Sequence, residues 1–134
     1  FENSILIGTR AAEDQELENI RKAGLEIITP LDIAEAGISK IAKRISSVSA
    51  KKKYISIDLD CLDPAFAPGV SVPSAGGLSA IELIYLLKHA ASSGIVGMDI
   101  TELCPEFDIN HITSNLAARL ISESIASIRS KSLF

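Results

Sequence analysis

Aromatic residues, cysteine and histidine are all scarce in this sequence. Aromatic residues make up 4% of the 134 residues and tryptophan is absent, so the hydrophobic core must be aliphatic. Two cysteines are too few for a disulfide framework or a zinc site, and we expect both thiols to be reduced. The formal net charge is −4 and no basic stripe is present, which argues against nucleic-acid binding.

Long hydrophobic runs are also missing. No apolar stretch is long enough to span a bilayer, and no signal peptide is visible, although the sequence starts at Phe1. We therefore expect no membrane association and a cytoplasmic location. Hydrophobic residues nevertheless make up 47% of the chain, which is enough to form a real core. Because no linker, repeat or low-complexity segment divides it, we expect one domain over residues 1–134.

Strand-like and helix-like hydrophobic patterns alternate along the chain. This order predicts an α/β fold with three layers, in which helices cover both faces of a parallel sheet and ligand sites lie at the carboxyl ends of the strands. Ser79 and Glu82 form a predicted capping box at the start of the third helix, and Gly37 can interrupt the second. The predicted strands are 5–8, 25–29, 53–57 and 95–100, and the predicted helices are 13–23, 31–48, 79–94 and a final one that closes the chain. In the final helix, seven apolar residues are predicted to share the core-facing side: Ile112, Leu116, Ala117, Leu120, Ile121, Ile125 and Ile128.

The most informative segment is an apolar strand that runs directly into three aspartates, between Ser56 and Pro64. On a strand, side chains at i and i+2 point the same way, which predicts that Asp58 and Asp60 converge. Two adjacent carboxylates repel each other unless they share a proton or a cation lies between them, and hard divalent cations prefer oxygen ligands. The segment therefore predicts a cation site. The simpler alternative is that an Asp-x-Asp pair marks only a turn or a solvated strand end.

A long loop rich in proline and glycine follows this strand. Pro68, Gly69, Gly76 and Gly77 are predicted to shape it, since proline fixes φ and glycine permits close backbone approach. The whole run from Ser56 to Gly77 resembles the aspartate-bearing signature of the ureohydrolases, the arginase and agmatinase family.

Other blocks resemble the same family, with slightly more likeness to agmatinases than to arginases. They are residues 5–10, residues 96–105 and the tail from Phe107 to Thr113. The resemblance covers nearly all of the chain but only the C-terminal half of the family's fold. The earlier glycine-aspartate-histidine and aspartate-histidine-aspartate blocks, which supply the other metal ligands in the family, have no counterpart here.

The resemblance implies manganese-dependent hydrolysis of a guanidino compound such as agmatine or arginine, with release of urea. It also implies that Asp58 bridges two manganese ions, that Asp60 binds one of them, and that Glu102 pairs with the substrate guanidinium. Asp99 is expected to support the site without direct contact to the metal or the substrate, or to maintain the fold. With two aspartates as its ligands, the isolated chain is expected to bind manganese weakly and to lack turnover. The implied partners are the missing N-terminal half or a partner chain, and further copies in a homo-oligomer.

Several alternatives stay open at this point. Many ureohydrolases carry Thr-Gly-Thr-Pro where this sequence has residues 70–73, Val-Ser-Val-Pro, so the substrate is not fixed. Glu102 could instead be a salt-bridged carboxylate at a strand end. The chain could be a non-catalytic, truncated relative that acts as an assembly module. A phosphatase of the haloacid dehalogenase type also has an apolar strand that ends in Asp-x-Asp, the first Asp being the nucleophile.

Overall fold

The computed structural model describes residues 3–50, 52–92 and 94–131. Strands and helices alternate along this part of the chain, as the hydrophobic pattern predicts. The strands are β1 (Ile5–Ile7), β2 (Glu26–Ile28), β3 (Tyr54–Asp58) and β4 (Gly97–Thr101). The helices are α1 (Asp14–Lys22), α2 (Pro30–Ala36), α3 (Ile38–Ser46), α4 (Ala80–Ser92) and α5 (Ile112–Lys131).

Local sequence signals determine where several helices begin and end. The Thr29 hydroxyl accepts a hydrogen bond from the Asp32 amide, and the Asp32 carboxylate accepts one from the Thr29 amide, so this pair caps α2. Gly37 adopts a φ of 85° and divides the predicted second helix into α2 and α3. The predicted capping box of α4 is confirmed, because Ser79 and Glu82 exchange the same two types of bond.

All strand pairing among the described residues is parallel, but it does not produce the single continuous sheet that the α/β pattern suggests. Strand β1 pairs with β2, with Ile5 opposite Glu26, and β3 pairs with β4, with Asp58 opposite Thr101. The result is two separate two-stranded sheets. Helix α4 packs against both α3 and α5 and joins the two halves through an aliphatic core. Core residues include Ile28, Ile33, Ile41, Ile57, Leu59, Leu62, Leu78, Leu83, Leu86, Leu87 and Leu120.

Helix α5 is rotated relative to the prediction. Four of the seven residues assigned to its core-facing side are between 42% and 50% exposed, namely Ile112, Ile121, Ile125 and Ile128. Ala117 and Leu120 are buried as predicted, and the buried side also carries Thr113, Ser124 and Ser127, which the pattern did not assign to it. Burial of these serines costs little, since the hydroxyls of Ser124 and Ser127 donate to backbone carbonyls four residues earlier, at 2.8 and 2.7 Å.

None of the described helices is long and apolar enough to cross a membrane.

Candidate metal centre at the carboxyl ends of two parallel strands

Asp58 and Asp60 lie side by side, but not for the reason that the strand pattern predicts. Strand β3 ends at Asp58, and Asp60 belongs to a single 3₁₀ turn, Leu59–Cys61. The Asp60 amide donates a hydrogen bond to Asp58 Oδ1 at 3.0 Å. The turn therefore brings the two carboxylates together, and alternation along a strand does not.

The pKa of Asp60 indicates which charged groups act at the carboxyl ends of β1, β3 and β4, the edge called the rim below. Burial and the neighbouring Asp58 carboxylate raise the pKa of Asp60 above its ordinary value. The charge of Glu102 acts in the same direction, whereas the Arg10 guanidinium opposes the shift. Three carboxylates and one guanidinium thus influence a common region at the ends of β1, β3 and β4.

Glu102 directly follows β4, whose last residue, Thr101, lies opposite Asp58. Its backbone φ is 62°, in the left-handed region that residues with a side chain seldom adopt. The Glu102 side chain is exposed. A bulky, charged residue is therefore held in a strained conformation at the same end of the sheet as the aspartate pair.

Asp99 lies deeper along the sheet than these carboxylates, opposite Ser56 in the β3–β4 ladder. Its carboxylate accepts hydrogen bonds from the Ser56 hydroxyl at 2.6 Å and the Tyr54 hydroxyl at 2.8 Å. These two bonds, the one from Ser56 first, lower the pKa of Asp99. Asp99 thus ties β4 to β3 just behind the rim.

Backbone contacts hold the loop after β3 against the rim. A Cβ on Gly77 would lie 2.4 Å from the carbonyl carbon of Leu62, so only glycine fits there. Gly76 has a φ of 78°, and its amide donates to the Asp63 carboxylate at 2.8 Å. At the other end of the loop, a Cβ on Gly69 would lie 2.8 Å from that of Asp108. Pro68, the residue before it, is half-buried.

The residues that depart from the Thr-Gly-Thr-Pro pattern do not share one environment. Val70 is 1% exposed and belongs to the hydrophobic core. Ser71 and Val72 are exposed. The replacement of a threonine by Val70 therefore serves packing, and only the next two residues are free to meet a ligand.

Arg10 is a rim residue to which sequence reasoning assigned no role. It follows β1, and its guanidinium donates to the Gly8 carbonyl at 3.3 Å and to the Asp60 carbonyl. An arginine just after a strand end of an α/β protein was the available signal, since the carboxyl ends of the strands meet at one edge. Cys61 lies nearby, where burial and the Asp58 charge raise its thiol pKa to about 12. That thiol is protonated at neutral pH.

The aspartate pair is chemically suited to a divalent cation but supplies only part of a coordination shell. Both side chains offer carboxylate oxygens, and like charges at this spacing favour a bound cation. The described part of the chain contains no group of three or more His, Cys, Asp or Glu side chains that could hold a metal ion. The residues present thus fit a fraction of a metal site.

Comparison with known proteins identifies the family. A model of the Arginase family matches residues 1–126. The agmatinase of Citrobacter koseri is 32% identical over 124 residues, which are 92% of this chain and 39% of that protein. The solved agmatine ureohydrolase of Thermoplasma volcanium superposes with a TM-score of 0.85 at 34% identity, covering 94% of this chain and 42% of its own. The solved formimidoylglutamase of Bacillus subtilis has a TM-score of 0.87 at 28% identity, covering 92% and 40%.

This chain belongs to the arginase family. It spans about two fifths of the length of the relatives it matches. The three-layer α/β architecture expected from the sequence is confirmed by these structural neighbours. The phosphatase interpretation is wrong, because the family match extends over nearly the whole chain.

Proposed function

We propose that this chain carries one part of a ureohydrolase active site, with Asp58 and Asp60 as ligands for manganese and Glu102 as the contact for the substrate guanidinium. The complete assembly would hydrolyse a guanidino compound, agmatine or arginine, and release urea. The observation that carries this proposal is the common influence of Asp58 and Glu102 on Asp60 at one end of the sheet. Asp58 ends β3 and Glu102 directly follows β4, so carboxylates from two paired parallel strands lie at the edge where ligands bind in α/β sheets.

The two aspartates would hold the cation. Asp58, at the end of β3, and Asp60, in the following turn, would be its ligands. Bound manganese would supply Lewis-acid chemistry that lowers the pKa of a water molecule. The half-buried position of Asp60 supports this assignment, because burial strengthens the attraction between a carboxylate and a cation.

Glu102 would orient the substrate. A carboxylate can form a bidentate pair with a guanidinium, which fixes the electrophilic carbon in one position. The strained backbone of Glu102 supports a functional role, since such strain persists chiefly where the surrounding structure enforces it at functional sites. Asp99 would act as a positioning residue through its bonds to Tyr54 and Ser56, without contact to the substrate.

Agmatine is the substrate that the names of the relatives favour, and arginine is the runner-up. The fold itself does not choose between them, because a formimidoylglutamase superposes equally well. Residues that read the far end of the substrate would come from outside this chain.

A non-catalytic assembly module is the second candidate. It is favoured by the lack of a three-ligand cluster within the described residues. In that case Asp58 and Asp60 would be remnants with no measurable preference for a cation.

Manganese titration of the isolated chain, followed by electron paramagnetic resonance, separates the two candidates. We expect weak binding that Asp58→Asn and Asp60→Asn each reduce by about tenfold or more. Asp14→Asn is the matched control, since Asp14 is an exposed residue in the first turn of α1. Equal binding by all four proteins would overturn the metal assignment and favour the assembly module.

Urea release tests the catalytic part of the proposal. We expect none from the isolated chain with manganese and agmatine or arginine, since only a fraction of the ligands is present. Robust urea release by the purified chain would show that the ligand set is complete without a second polypeptide, and the proposal of a partial site would be wrong.

A further inference from the structure

Arg10 connects the end of β1 to the turn that carries Asp60. Its half-buried side chain follows β1 and donates hydrogen bonds to two backbone carbonyls. Nη1 donates to the Gly8 carbonyl at 3.3 Å, and Nη2 donates to the Asp60 carbonyl, 50 positions further along the chain. One guanidinium thus links the ends of two strands that do not pair with each other.

The backbone of Asp60 is held from two directions. Its amide donates to Asp58 Oδ1 at 3.0 Å, and its carbonyl accepts from Arg10. The residues on either side are fixed by burial, since Leu59 and Leu62 are 0% and 1% exposed. Because the backbone conformation determines which side-chain rotamers are allowed, these contacts restrict the direction of the Asp60 carboxylate.

The guanidinium binds backbone carbonyls and not the nearby carboxylates. Among the described residues, none of the ion pairs involves Arg10, although its charge acts on Asp60 and on Asp63. An arginine beside an aspartate commonly forms a bidentate pair that occupies both carboxylate oxygens. Because Arg10 binds carbonyls instead, it leaves the carboxylate oxygens of Asp60 available to a cation.

This arrangement does not satisfy all the donors of Arg10. Within the described part of the chain, its Nε is buried and has no hydrogen-bond partner. Buried polar groups without a partner are rare in folded proteins, because they reduce stability. A side chain placed for stability alone would be expected to satisfy this donor. The position of the guanidinium therefore follows from its contacts to Gly8 and Asp60.

Gly8 brings the end of β1 close to the turn. Its φ is 86°, and a Cβ at this position would lie 3.1 Å from that of Cys61. Glycine permits both the positive φ and the close approach. The planar guanidinium of Arg10 then presents donors in fixed directions, whereas a lysine ammonium is a single, freely rotating point charge. An arginine is thus suited to hold two carbonyls at once.

We propose that Arg10 is a positioning residue, which holds the Asp60 carbonyl against the end of β1 and thereby directs the Asp60 carboxylate to the site that it shares with Asp58. This inference rests on the proposed function, since it takes the two aspartates to be metal ligands. Arg10 itself contacts neither the cation nor the substrate.

A positioning role and a purely electrostatic role predict opposite changes in metal affinity. A positive charge beside a cation site repels the cation, so removal of the charge alone should strengthen manganese binding. Loss of positioning should weaken it, because groups that orient metal ligands typically contribute about 10–100-fold to affinity. Arg10→Met removes the charge and the hydrogen bonds. Arg10→Lys keeps the charge but cannot hold both carbonyls in the same geometry.

Manganese titration followed by electron paramagnetic resonance distinguishes the two roles. We expect Arg10→Met and Arg10→Lys each to weaken binding by about tenfold. Arg21→Met is the matched control, because Arg21 is an exposed arginine in the last turn of α1, and it should bind manganese like the unaltered chain. Equal or stronger binding by Arg10→Met would overturn the proposal, as would unchanged binding by Arg10→Lys.

Amide hydrogen exchange of the metal-free proteins tests the positioning directly. We expect the Asp60 amide, which is bonded to Asp58, to exchange about tenfold faster in both Arg10 variants, as the loss of one hydrogen bond predicts. The Asp63 amide donates to the Leu78 carbonyl at 2.9 Å and should exchange at the same rate in all proteins, which shows that the variants are folded. Unchanged exchange at Asp60 in folded variants would overturn the proposal.

The unaltered chain gives an independent result if a variant fails to fold. Restricted rotation of the guanidinium should give separate nuclear magnetic resonance signals for the Nη protons of Arg10, and a single averaged signal would overturn the proposal. If even the unaltered chain does not bind manganese, the metal assignment is wrong, whereas exchange at Asp60 still decides whether Arg10 holds the turn. A failure of the proposed function is therefore distinguishable from a failure of this inference.

Discussion

The Ser56 hydroxyl donates a hydrogen bond to Asp99 Oδ1 at 2.6 Å, directly across the β3–β4 ladder. Tyr54, two residues earlier on the same face of β3, donates to the other carboxylate oxygen at 2.8 Å. One carboxylate thus binds two side chains of the neighbouring strand, and the three residues Tyr54, Ser56 and Asp99 are called the clamp below. The Ser56–Asp99 pair lies two residue pairs before Asp58–Thr101, so these bonds stabilise the end of β3 from which the proposed metal ligands project.

The clamp predicts the titration of Tyr54. Its hydrogen bond to Asp99 raises the pKa of Tyr54 above the ordinary value of 10.0, because loss of the phenol proton would place two negative charges together. In a Tyr85→Phe background, which leaves Tyr54 as the only tyrosine, the tyrosinate absorbance should rise at higher pH than in a free tyrosine peptide. Asp99→Asn should return the midpoint towards 10.0. Coincident curves for the two proteins would show that the bond does not form in solution.

The strained backbone of Glu102 predicts a conflict between stability and function. Glycine adopts a φ of 62° without steric cost, so Glu102→Gly should increase the free energy of unfolding by up to about 1 kcal/mol. Glu102→Ala removes the same carboxylate but keeps the strain, and should leave stability nearly unchanged. Denaturant unfolding of the three proteins measures this difference.

The comparison between these two variants separates strain from charge. If both raised stability equally, repulsion between Glu102 and Asp60 would be the cause and backbone strain would not. In the assembled enzyme, both variants should lose activity to the same extent, because both lack the proposed contact to the substrate.

Gly76 and Gly77 are adjacent in the loop after β3, but we expect their substitution by alanine to reduce the free energy of unfolding by very different amounts. In Gly77→Ala the new Cβ would overlap the backbone of Leu62, so the loop must move away from β3. The cost should reach or exceed about 3 kcal/mol, the upper part of the range for overpacking. Gly76→Ala meets no atom within 4 Å and pays only for its φ of 78°, about 1 kcal/mol. Thermal unfolding of the two variants gives the ranking, and equal losses would contradict the contact.

The sequence pattern predicted the element order well because buried strands and amphipathic helices have distinct periods. Boundaries shifted by one or two residues, as at β4, which begins at Gly97 and not at residue 95. The Gly37 break and the Ser79 cap were visible because glycine and serine act through local backbone geometry. The rotation of α5 was not visible, since burial of Ser124 depends on a backbone bond within the helix that hydropathy does not register.

The sequence indicates candidate site residues but not how they are arranged in space. The strand pattern indicates Asp58 and Asp60 and the family resemblance indicates Glu102, and their roles stay predictions. The 3₁₀ turn that places Asp60 could not be read from strand alternation. Arg10 was missed as a rim residue because its neighbours lie fifty positions away along the chain. The division of the described strands into two pairs also escaped prediction, since hydrophobic periodicity does not specify which strands pair.

Asp108 lies between β4 and α5, and its carboxylate binds the first turn of α5. These bonds predict how the stability of the fold depends on pH. The Asp108 carboxylate accepts bonds from the Thr113 amide at 2.9 Å and from the Ser114 amide and hydroxyl at 2.9 and 2.6 Å. Burial raises its pKa, but the bonds from Ser114 and Thr113 outweigh burial and lower the pKa to about 2. The ionised carboxylate therefore stabilises the folded chain above the ordinary value of 3.8, and this contribution is lost as the pH falls from there towards 2.

Asp108→Asn should consequently be less stable than the unaltered chain near neutral pH, and the difference should shrink as the pH falls below 4. Other carboxylates with lowered pKa values, such as Asp63 and Asp99, titrate in both proteins and cancel in this comparison. Urea unfolding midpoints measured over this range give the difference directly. Asp14→Asn, on exposed α1, should follow the unaltered chain at every pH. A constant gap between Asp108→Asn and the unaltered chain down to pH 2 would contradict the prediction, because the loss of stability would then not depend on ionisation of the carboxylate.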